Sequence, residues 1–136
     1  DLPEDTMIYA CGPESLLEAL PEECADLPET SLRIERFTNT MANATISYEP
    51  YEIELQRSGR VLEAPGNTTV VEVLAEAGVD VVTSCSKGVC GTCEVDVLDG
   101  EIDHRDAILD DDERASNTCM FPCVSRSLSQ RLVLDL

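Results

Sequence analysis

Three cysteines crowd into the segment SCSKGVCGTC, residues 84–93, and this crowding constrains the fold more than any other feature of the sequence. Cys85, Cys90 and Cys93 have the spacing C-x4-C-x2-C, and Cys123 follows after 29 further residues. This spacing is the plant-type pattern for a 2Fe-2S cluster. Four thiolates must surround two irons, and one short loop can supply three of them. The fourth must therefore come from a distant strand or turn that the fold brings to the loop.

The residues between the cysteines are suited to wrapping a cluster. Gly88 and Gly91 allow backbone conformations that other residues avoid, and they leave N–H groups free to point at the sulfurs. Such N–H groups would stabilise the reduced, more negative cluster. The loop as a whole is expected to shield the cluster and to leave one edge near the surface. Its other members are Ser86, Lys87, Val89 and Thr92.

The segment NTCMFPC offers two thiols for the fourth ligand. Cys123 is favoured because it gives the plant-type separation and because Pro122 can fix its approach, whereas Cys119 is expected to be a small buried apolar residue. A structural zinc site usually uses two paired knuckles, and the sequence has only one C-x2-C pair. An unliganded cysteine cluster is the remaining alternative.

His104 is the only histidine in the sequence. A Rieske cluster needs two histidines, so this kind of cluster is excluded. His104 is expected to be structural.

The charge and the composition restrict the partners. The chain has 28 acidic and 9 basic residues and a net charge of −19, which would repel nucleic acid and anionic lipid. No apolar run approaches the roughly 20 residues of a membrane span. Seven cysteines without an export signal favour a reducing compartment, the cytoplasm. The charge fits either solubility in a salty cytoplasm or steering of a basic partner. The acidic run 110–113 is expected to be a solvated face or a helix start, with a docking role as the alternative.

The sequence of residues 1–37 predicts half of an α/β unit. TMIYA predicts a short buried strand, and LRIERF, residues 32–37, predicts another. Between them the helix ESLLEAL is predicted to be opened by Pro13 at its first position and closed by Pro21. The polar stretch that follows, residues 38–50, is predicted to be a linker.

The remainder of the chain predicts a small mixed sheet that packs on one helix. Residues 51–55 alternate apolar and polar side chains, and Ser58-Gly59 predicts a turn into a second strand over 61–64. Thr69 and Glu72 form a capping box before an apolar stripe, and Gly78 marks the end of that helix. Further alternation predicts strands after Cys93 and at the C-terminus.

With these residues in view, 50–136 resembles the plant-type ferredoxin domain, a β-grasp fold. In particular it is similar to the C-terminal ferredoxin domain of the phthalate dioxygenase reductase family. The segments that carry the resemblance are SCSKGVCGTCEVDVLDGEIDHRD, ERASNTCMFPCVSRS and the terminal LVLDL. The expected fold class is α+β, with a ferredoxin domain over 51–136. Before it, residues 1–37 are expected to form the last strand, helix and strand of an α/β NAD-binding domain.

Residues 1–37 resemble the closing part of the NAD(H) domain of the same family through IYACGPESLLEAL and RIERF. The resemblance implies that Cys11, Gly12 and Pro13 line the nicotinamide pocket and that Phe37 is the aromatic residue near the flavin. The alternatives are a buried thiol at a strand end for Cys11 and a core aromatic for Phe37.

The resemblance also implies a function. Electrons would pass from NAD(P)H through FMN to the 2Fe-2S cluster, and then to a terminal oxygenase that is either of the haem-thiolate cytochrome P-450 type or of the Rieske type. The oxygenase could be fused or separate. The chain by itself would be an electron carrier without catalytic residues, and its partners would include the upstream FMN and NAD(P)H domains. The alternatives are a stand-alone ferredoxin, against which IYACGPESLLEAL counts, and a structural zinc module.

Overall fold

The computed structural model describes residues 6–28, 31–39 and 49–136, and the chain divides into two compact units, 1–37 and 38–136. The predicted linker falls mainly on residues 40–48, which lie outside the described residues. The assignment of domains and linker therefore stays a prediction. No helix in the described ranges has the length and apolar character that crossing a membrane requires.

The first unit contains two short parallel strands and one helix. β1 (Ile8–Ala10) pairs with β2 (Leu32–Ile34), and α1 (Glu14–Glu23) connects them and buries Leu17. The predicted strand, helix and strand are therefore present. The second strand is shorter than predicted, because among the described residues the last backbone hydrogen bond from LRIERF to β1 is that from the Glu35 N–H to the Ala10 carbonyl.

Both prolines of α1 lie at positions other than those predicted. Pro13 is the N-cap, with an extended backbone, and its carbonyl accepts from the N–H groups of Leu16 and Leu17. Pro21 lies inside the helix, which continues to Glu23. A proline inside a helix lacks an N–H donor and crowds the carbonyl four residues earlier, but the bond from the Cys24 N–H to the Leu20 carbonyl is kept. The last turn therefore closes past Pro21.

The second unit contains the sheet and the cysteine loop. In chain order its elements are β3 (Tyr51–Leu55), β4 (Arg60–Ala64), α2 (Val70–Glu76), β5 (Val95–Asp99), β6 (Ile102–Asp103), α3 (Asp111–Ser116), β7 (Cys119–Met120), β8 (Arg126–Ser127) and β9 (Arg131–Leu134).

One five-stranded sheet forms the centre of this unit, in the order β4-β3-β9-β5-β7. Only the β3–β9 pair is parallel; the other pairs are antiparallel. The side chains of β3 alternate between buried and half-buried positions, as the sequence predicts. The C-terminal strand β9 therefore lies in the middle of the sheet, where Leu132 and Leu134 are fully buried.

Helix α2 packs its apolar face on this sheet. The Thr69 side chain accepts from the Glu72 N–H at 3.2 Å, and the Glu72 carboxylate accepts from the Thr69 N–H at 2.8 Å, so the predicted capping box is present. Val70, Val73 and Leu74 join the core. The prediction of a mixed sheet that packs on one helix is thus confirmed.

Truncation of a core leucine in the central strand should be far more damaging than truncation of an exposed one. Leu134→Ala removes a side chain with 0% exposure and is expected to lower the free energy of unfolding by about 2–5 kcal/mol, because a cavity forms in the sheet core. Leu128→Ala, at 61% exposure, should change it by less than about 0.5 kcal/mol. Urea unfolding followed by circular dichroism measures both, and equal effects would contradict the central position of β9.

Candidate metal centre

The cysteine loop turns sharply through three left-handed residues. Gly88 has φ +71° and Gly91 has φ +76°, as a tightly wrapped loop requires. Ser86 has φ +55°, a conformation that costs a side-chain-bearing residue energy and that the sequence did not predict. These three residues change the direction of the chain within a short loop that contains Cys85 and Cys90.

Backbone N–H groups within the loop point at sulfur atoms. The Lys87 N–H donates to Cys85 Sγ at 3.3 Å, and the Thr92 N–H donates to Cys90 Sγ at 3.5 Å. Thr92 Oγ1 lies 3.2 Å from the same Cys90 sulfur. The two N–H donors favour negative charge on sulfur, which is the state in which cysteine binds metal.

A turn after β7 brings Cys123 to the loop. The N–H groups of Val124 and Ser125 donate to the Phe121 carbonyl, and the Val71 N–H near the start of α2 donates to the Pro122 carbonyl at 3.2 Å. Cys123 is thereby buried in one cluster with Cys93 and Phe121. Cys119 is paired with Asp96 across the β5–β7 ladder and is absent from that cluster.

The four thiols form two neighbouring pairs. Cys93 and Cys123 lie in one buried cluster, and Cys93 contributes to the raised pKa of Cys123. Cys85 contributes to the lowered pKa of Cys90 and, through its charge, to the raised pKa of Cys123. In the described part of the chain, no three His, Cys, Asp or Glu side chains converge as they would around a single ion. The pairs are the arrangement that two irons need.

The two pairs differ in their electrostatics. The Thr92 hydroxyl, followed by the Thr92 and Cys85 N–H groups, lowers the pKa of the exposed Cys90 thiol to about 6. Burial is the main cause that raises the pKa of Cys123 to about 12. Without metal, Cys123 therefore keeps its proton at neutral pH, and binding of iron must displace that proton.

The donor set fits a 2Fe-2S cluster. It consists of four cysteines with no histidine or carboxylate among them, and it is served by N–H groups. The loop at Gly88 has no room for a side chain, since an added Cβ would lie 2.6 Å from Val124 Cγ2 and 3.2 Å from Asp106 Cα. The backbone at Gly88 is thus pressed between the turn that carries Cys123 and the segment around Asp106.

Several residues outside the cysteine loop hold that loop in place. The sequence did not predict them. The Ala107 N–H donates to the Gly88 carbonyl at 2.9 Å, and the Arg114 guanidinium donates to the Asp106 carbonyl at 2.8 Å.

The side chains of Asp106 and Asn39 also bind in this region. The buried Asp106 carboxylate accepts from the N–H groups of Ile108 and Leu109. Asn39, in the predicted linker, also donates to this region. The carboxylate of Asp106 could have been suspected from DHRD, but no sequence signal marks Asn39.

His104 lies beside this segment and is mostly buried, with Nδ1 3.8 Å from Asp106 Oδ1. Burial is the main cause that lowers the pKa of His104, so the ring favours its neutral form. This position agrees with the structural role expected for it.

The residues proposed for the nicotinamide and flavin sites belong to the other unit. Cys11 and Gly12 follow β1, Pro13 caps α1, and all three are exposed. Phe37 is 65% exposed. Their roles stay predictions.

Comparison with known proteins identifies the family. Residues 53–127, more than half of the chain, match the model of the 2Fe-2S iron-sulfur cluster binding domain. The chain belongs to this family. The matched range contains all four cysteines of the two pairs.

The similarity to reductases extends over nearly the whole chain. Tetrachlorobenzoquinone reductase of Sphingobium chlorophenolicum is 41% identical over 98% of this chain and 41% of its own length. The structure of phthalate dioxygenase reductase is 40% identical, with a TM-score of 0.73 over 96% of this chain and 40% of its own. An intact type IV self-sufficient cytochrome P450 monooxygenase is 38% identical, with a TM-score of 0.80 over 100% of this chain and 18% of its own.

These matches confirm the α+β ferredoxin fold and the resemblance to phthalate dioxygenase reductase. The chain spans about two fifths of the reductases' length.

A methyl group at Gly88 should disrupt the cluster loop, whereas one at Gly91 should be tolerated better. Both residues have positive φ, so alanine strains the backbone at each. An added Cβ at Gly91 meets nothing closer than 3.9 Å, but at Gly88 it would clash with Val124. Iron content after purification should fall strongly in Gly88→Ala and slightly in Gly91→Ala. Equal losses would mean that backbone strain alone decides.

Proposed function

We propose that this chain is the electron-transfer end of an oxygenase reductase and that it holds a 2Fe-2S cluster through Cys85, Cys90, Cys93 and Cys123. The observation that carries the proposal is the burial of Cys123 in one cluster with Cys93, the last cysteine of the loop that also holds Cys85 and Cys90. Membership of the 2Fe-2S family supports the metal, and the reductase relatives support the role.

A bound cluster would accept one electron and pass it on. The described residues provide the setting for this transfer. Lys87 and Thr92 direct N–H groups at two of the sulfurs and so stabilise added negative charge. Phe121, 1% exposed, covers Cys93 and Cys123 and excludes water from that side. Cys90 stays exposed and leaves an edge of the site open for electron exchange.

Electrons would reach this chain from upstream domains that bind FMN and NAD(P)H. FMN would take the hydride pair and release single electrons. The first unit supports this proposal. Its strands β1 and β2 are parallel and are connected by helix α1, as expected for the end of an NAD-binding domain. In this role Cys11, Gly12 and Pro13 contact the nicotinamide, and Phe37 contacts the flavin.

The acceptor would be a terminal oxygenase with a basic docking surface, in the cytoplasm. The charge of −19 supports such steering. The acidic run 110–113 forms the start of helix α3: Asp110 and Glu113 form its capping box, and the exposed side chains of Asp111 and Asp112 take no part in it. The last two therefore remain available to a partner. One relative is an intact cytochrome P450 chain and another is a dioxygenase reductase, so haem-thiolate and Rieske-type acceptors both fit the proposal.

Serine substitutions should separate the four ligands from Cys119. Each of Cys85→Ser, Cys90→Ser, Cys93→Ser and Cys123→Ser is expected to lose most of its iron, because serine is a poor substitute for thiolate. Cys119→Ser should keep iron, together with the absorption and electron paramagnetic resonance spectra of the unsubstituted protein. Iron retained in Cys123→Ser and lost in Cys119→Ser would assign the fourth ligand to Cys119. A colourless protein with stoichiometric zinc would overturn the proposal.

The supply of electrons can be tested on the same sample. Dithionite is expected to reduce the purified chain, while NADH and NADPH are expected not to reduce it, because the flavin domains are upstream. Addition of FMN-loaded upstream domains should then allow reduction by a pyridine nucleotide. Rapid reduction by NADH without any flavin would contradict the proposed route.

A further inference from the structure

One peptide unit joins helix α3 to the cysteine loop. It lies between Asp106 and Ala107. Its carbonyl accepts from Arg114 Nη2 at 2.8 Å, and its N–H donates to the Gly88 carbonyl at 2.9 Å. In a trans peptide the carbonyl and the N–H lie in one plane and point in opposite directions. Arg114 and Gly88 therefore bind opposite sides of the same peptide.

The segment that contains this peptide lies directly against the cysteine loop. A Cβ added at Gly88 would lie 3.2 Å from Asp106 Cα, so backbone meets backbone at this point. Gly88 stands between Cys85 and Cys90 in the sequence. A movement of the Asp106–Ala107 peptide would therefore release the loop between two of the proposed ligands.

Helix α3 sets the position of Arg114. The Arg114 N–H donates to the Asp110 carbonyl at 3.0 Å, and the capping box of Asp110 and Glu113 fixes the first turn of the helix. From this helix the half-buried side chain of Arg114 reaches back to the Asp106 carbonyl. A hydrogen bond from a charged donor is roughly twice as strong as one between neutral groups. The guanidinium is thus a firm anchor for the carbonyl side of the peptide.

A different role for Arg114 would be to balance the buried charge of Asp106. The Asp106 carboxylate has 0% exposure and accepts from the N–H groups of Ile108 and Leu109. In the described part of the chain its ion-pair contact is with His104 Nδ1, at 3.8 Å. Arg114 donates to the carbonyl of Asp106 and not to its carboxylate. The contacts therefore favour an action of Arg114 through the peptide.

We propose that Arg114 is a positioning residue for the metal centre, which holds the Asp106–Ala107 peptide so that its N–H keeps the cysteine loop closed at Gly88. A hydrogen bond accepted by a carbonyl also strengthens the N–H donor at the other end of the same peptide. Without Arg114 the loop would open more often between Cys85 and Cys90 and expose iron to solvent. Arg114 therefore determines how long the cluster is retained.

This inference rests on the proposed function and is tested on the full chain with its cluster. Arg114→Met keeps an apolar stem and removes every donor, whereas Arg114→Lys keeps a charged donor. Arg114→Met should release iron to excess EDTA about tenfold faster than the unsubstituted protein, because a hydrogen bond that involves a charged group contributes at least about this factor. Arg114→Lys should recover most of the retention. The decay of the visible absorption measures the rate, and the visible circular dichroism of the cluster should change in Arg114→Met.

Asn117 offers a control on the same helix. It is the C-cap of α3, with Nδ2 donating to the Gly100 carbonyl at 2.6 Å and Oδ1 accepting from the Ile102 N–H at 3.0 Å. Neither bond involves the cysteine loop or the Asp106–Ala107 peptide. Asn117 has φ +54°, so Asn117→Gly removes both side-chain bonds without backbone strain. This variant should lose thermal stability and release iron at the rate of the unsubstituted protein.

A double variant separates the peptide contact from charge balance. Asp106→Asn removes the buried charge and keeps an oxygen for the N–H groups of Ile108 and Leu109. If Arg114 acts through the peptide, Arg114→Met combined with Asp106→Asn should release iron as fast as Arg114→Met alone. Slow release restored in the double variant would overturn the inference and assign Arg114 to charge balance.

The other outcomes separate positioning from a merely structural role. Equal acceleration in Asn117→Gly and Arg114→Met would show that any loosening of α3 is sufficient, and it would overturn the inference. An unchanged release rate in Arg114→Met, or no recovery in Arg114→Lys, would also overturn it. If the unsubstituted chain forms no 2Fe-2S cluster, the proposed function itself fails, and that result is visible before any variant is made.

Discussion

The contact between Cys123 and Cys93 is the constraint on which the site depends. The two thiols come from segments that only tertiary structure can join, and they meet beneath Phe121. The turn that carries Cys123 is fixed by its own hydrogen bonds and by the Val71 N–H of α2. Helix α2 is in turn seated on the sheet through its apolar face. The core therefore does more than stabilise the unit, because it sets the position at which the fourth sulfur reaches the loop.

Much of this arrangement could be predicted because its signals are local. Alternation in β3, the capping box of α2 and the spacing of three cysteines each depend on a few adjacent residues. Local rules were wrong at Pro21, where one missing N–H did not end the helix. They also gave no sign of the left-handed Ser86, since its conformation is imposed by the loop around it. Pairing of β9 with β3 was likewise beyond periodicity, which shows that a strand exists but not its neighbour.

Negative charge has two different uses in this chain. Some carboxylates act on their own backbone or on a nearby arginine: Asp106 and Asp110 accept from N–H groups, and Arg131 contacts the carboxylates of Glu52 and Glu54. Others, such as Asp111 and Asp112, are exposed and contribute to the long-range field. Sequence counts cannot distinguish these uses, because they depend on where each side chain lies. The net charge thus overstates the number of carboxylates available to a partner.

The contacts of Asn39 place the start of the second unit earlier than the family match and the predicted linker indicate. The family match starts at residue 53, and sequence punctuation places a linker over 38–50. Yet the Asn39 amide binds the cysteine loop, and the compact unit starts at residue 38. This hydrogen bond joins residues 48 positions apart in sequence and leaves no periodic or spacing signal by which the contact could be predicted. The compact unit that holds the cysteine loop therefore begins earlier than the range in which the family resemblance is found.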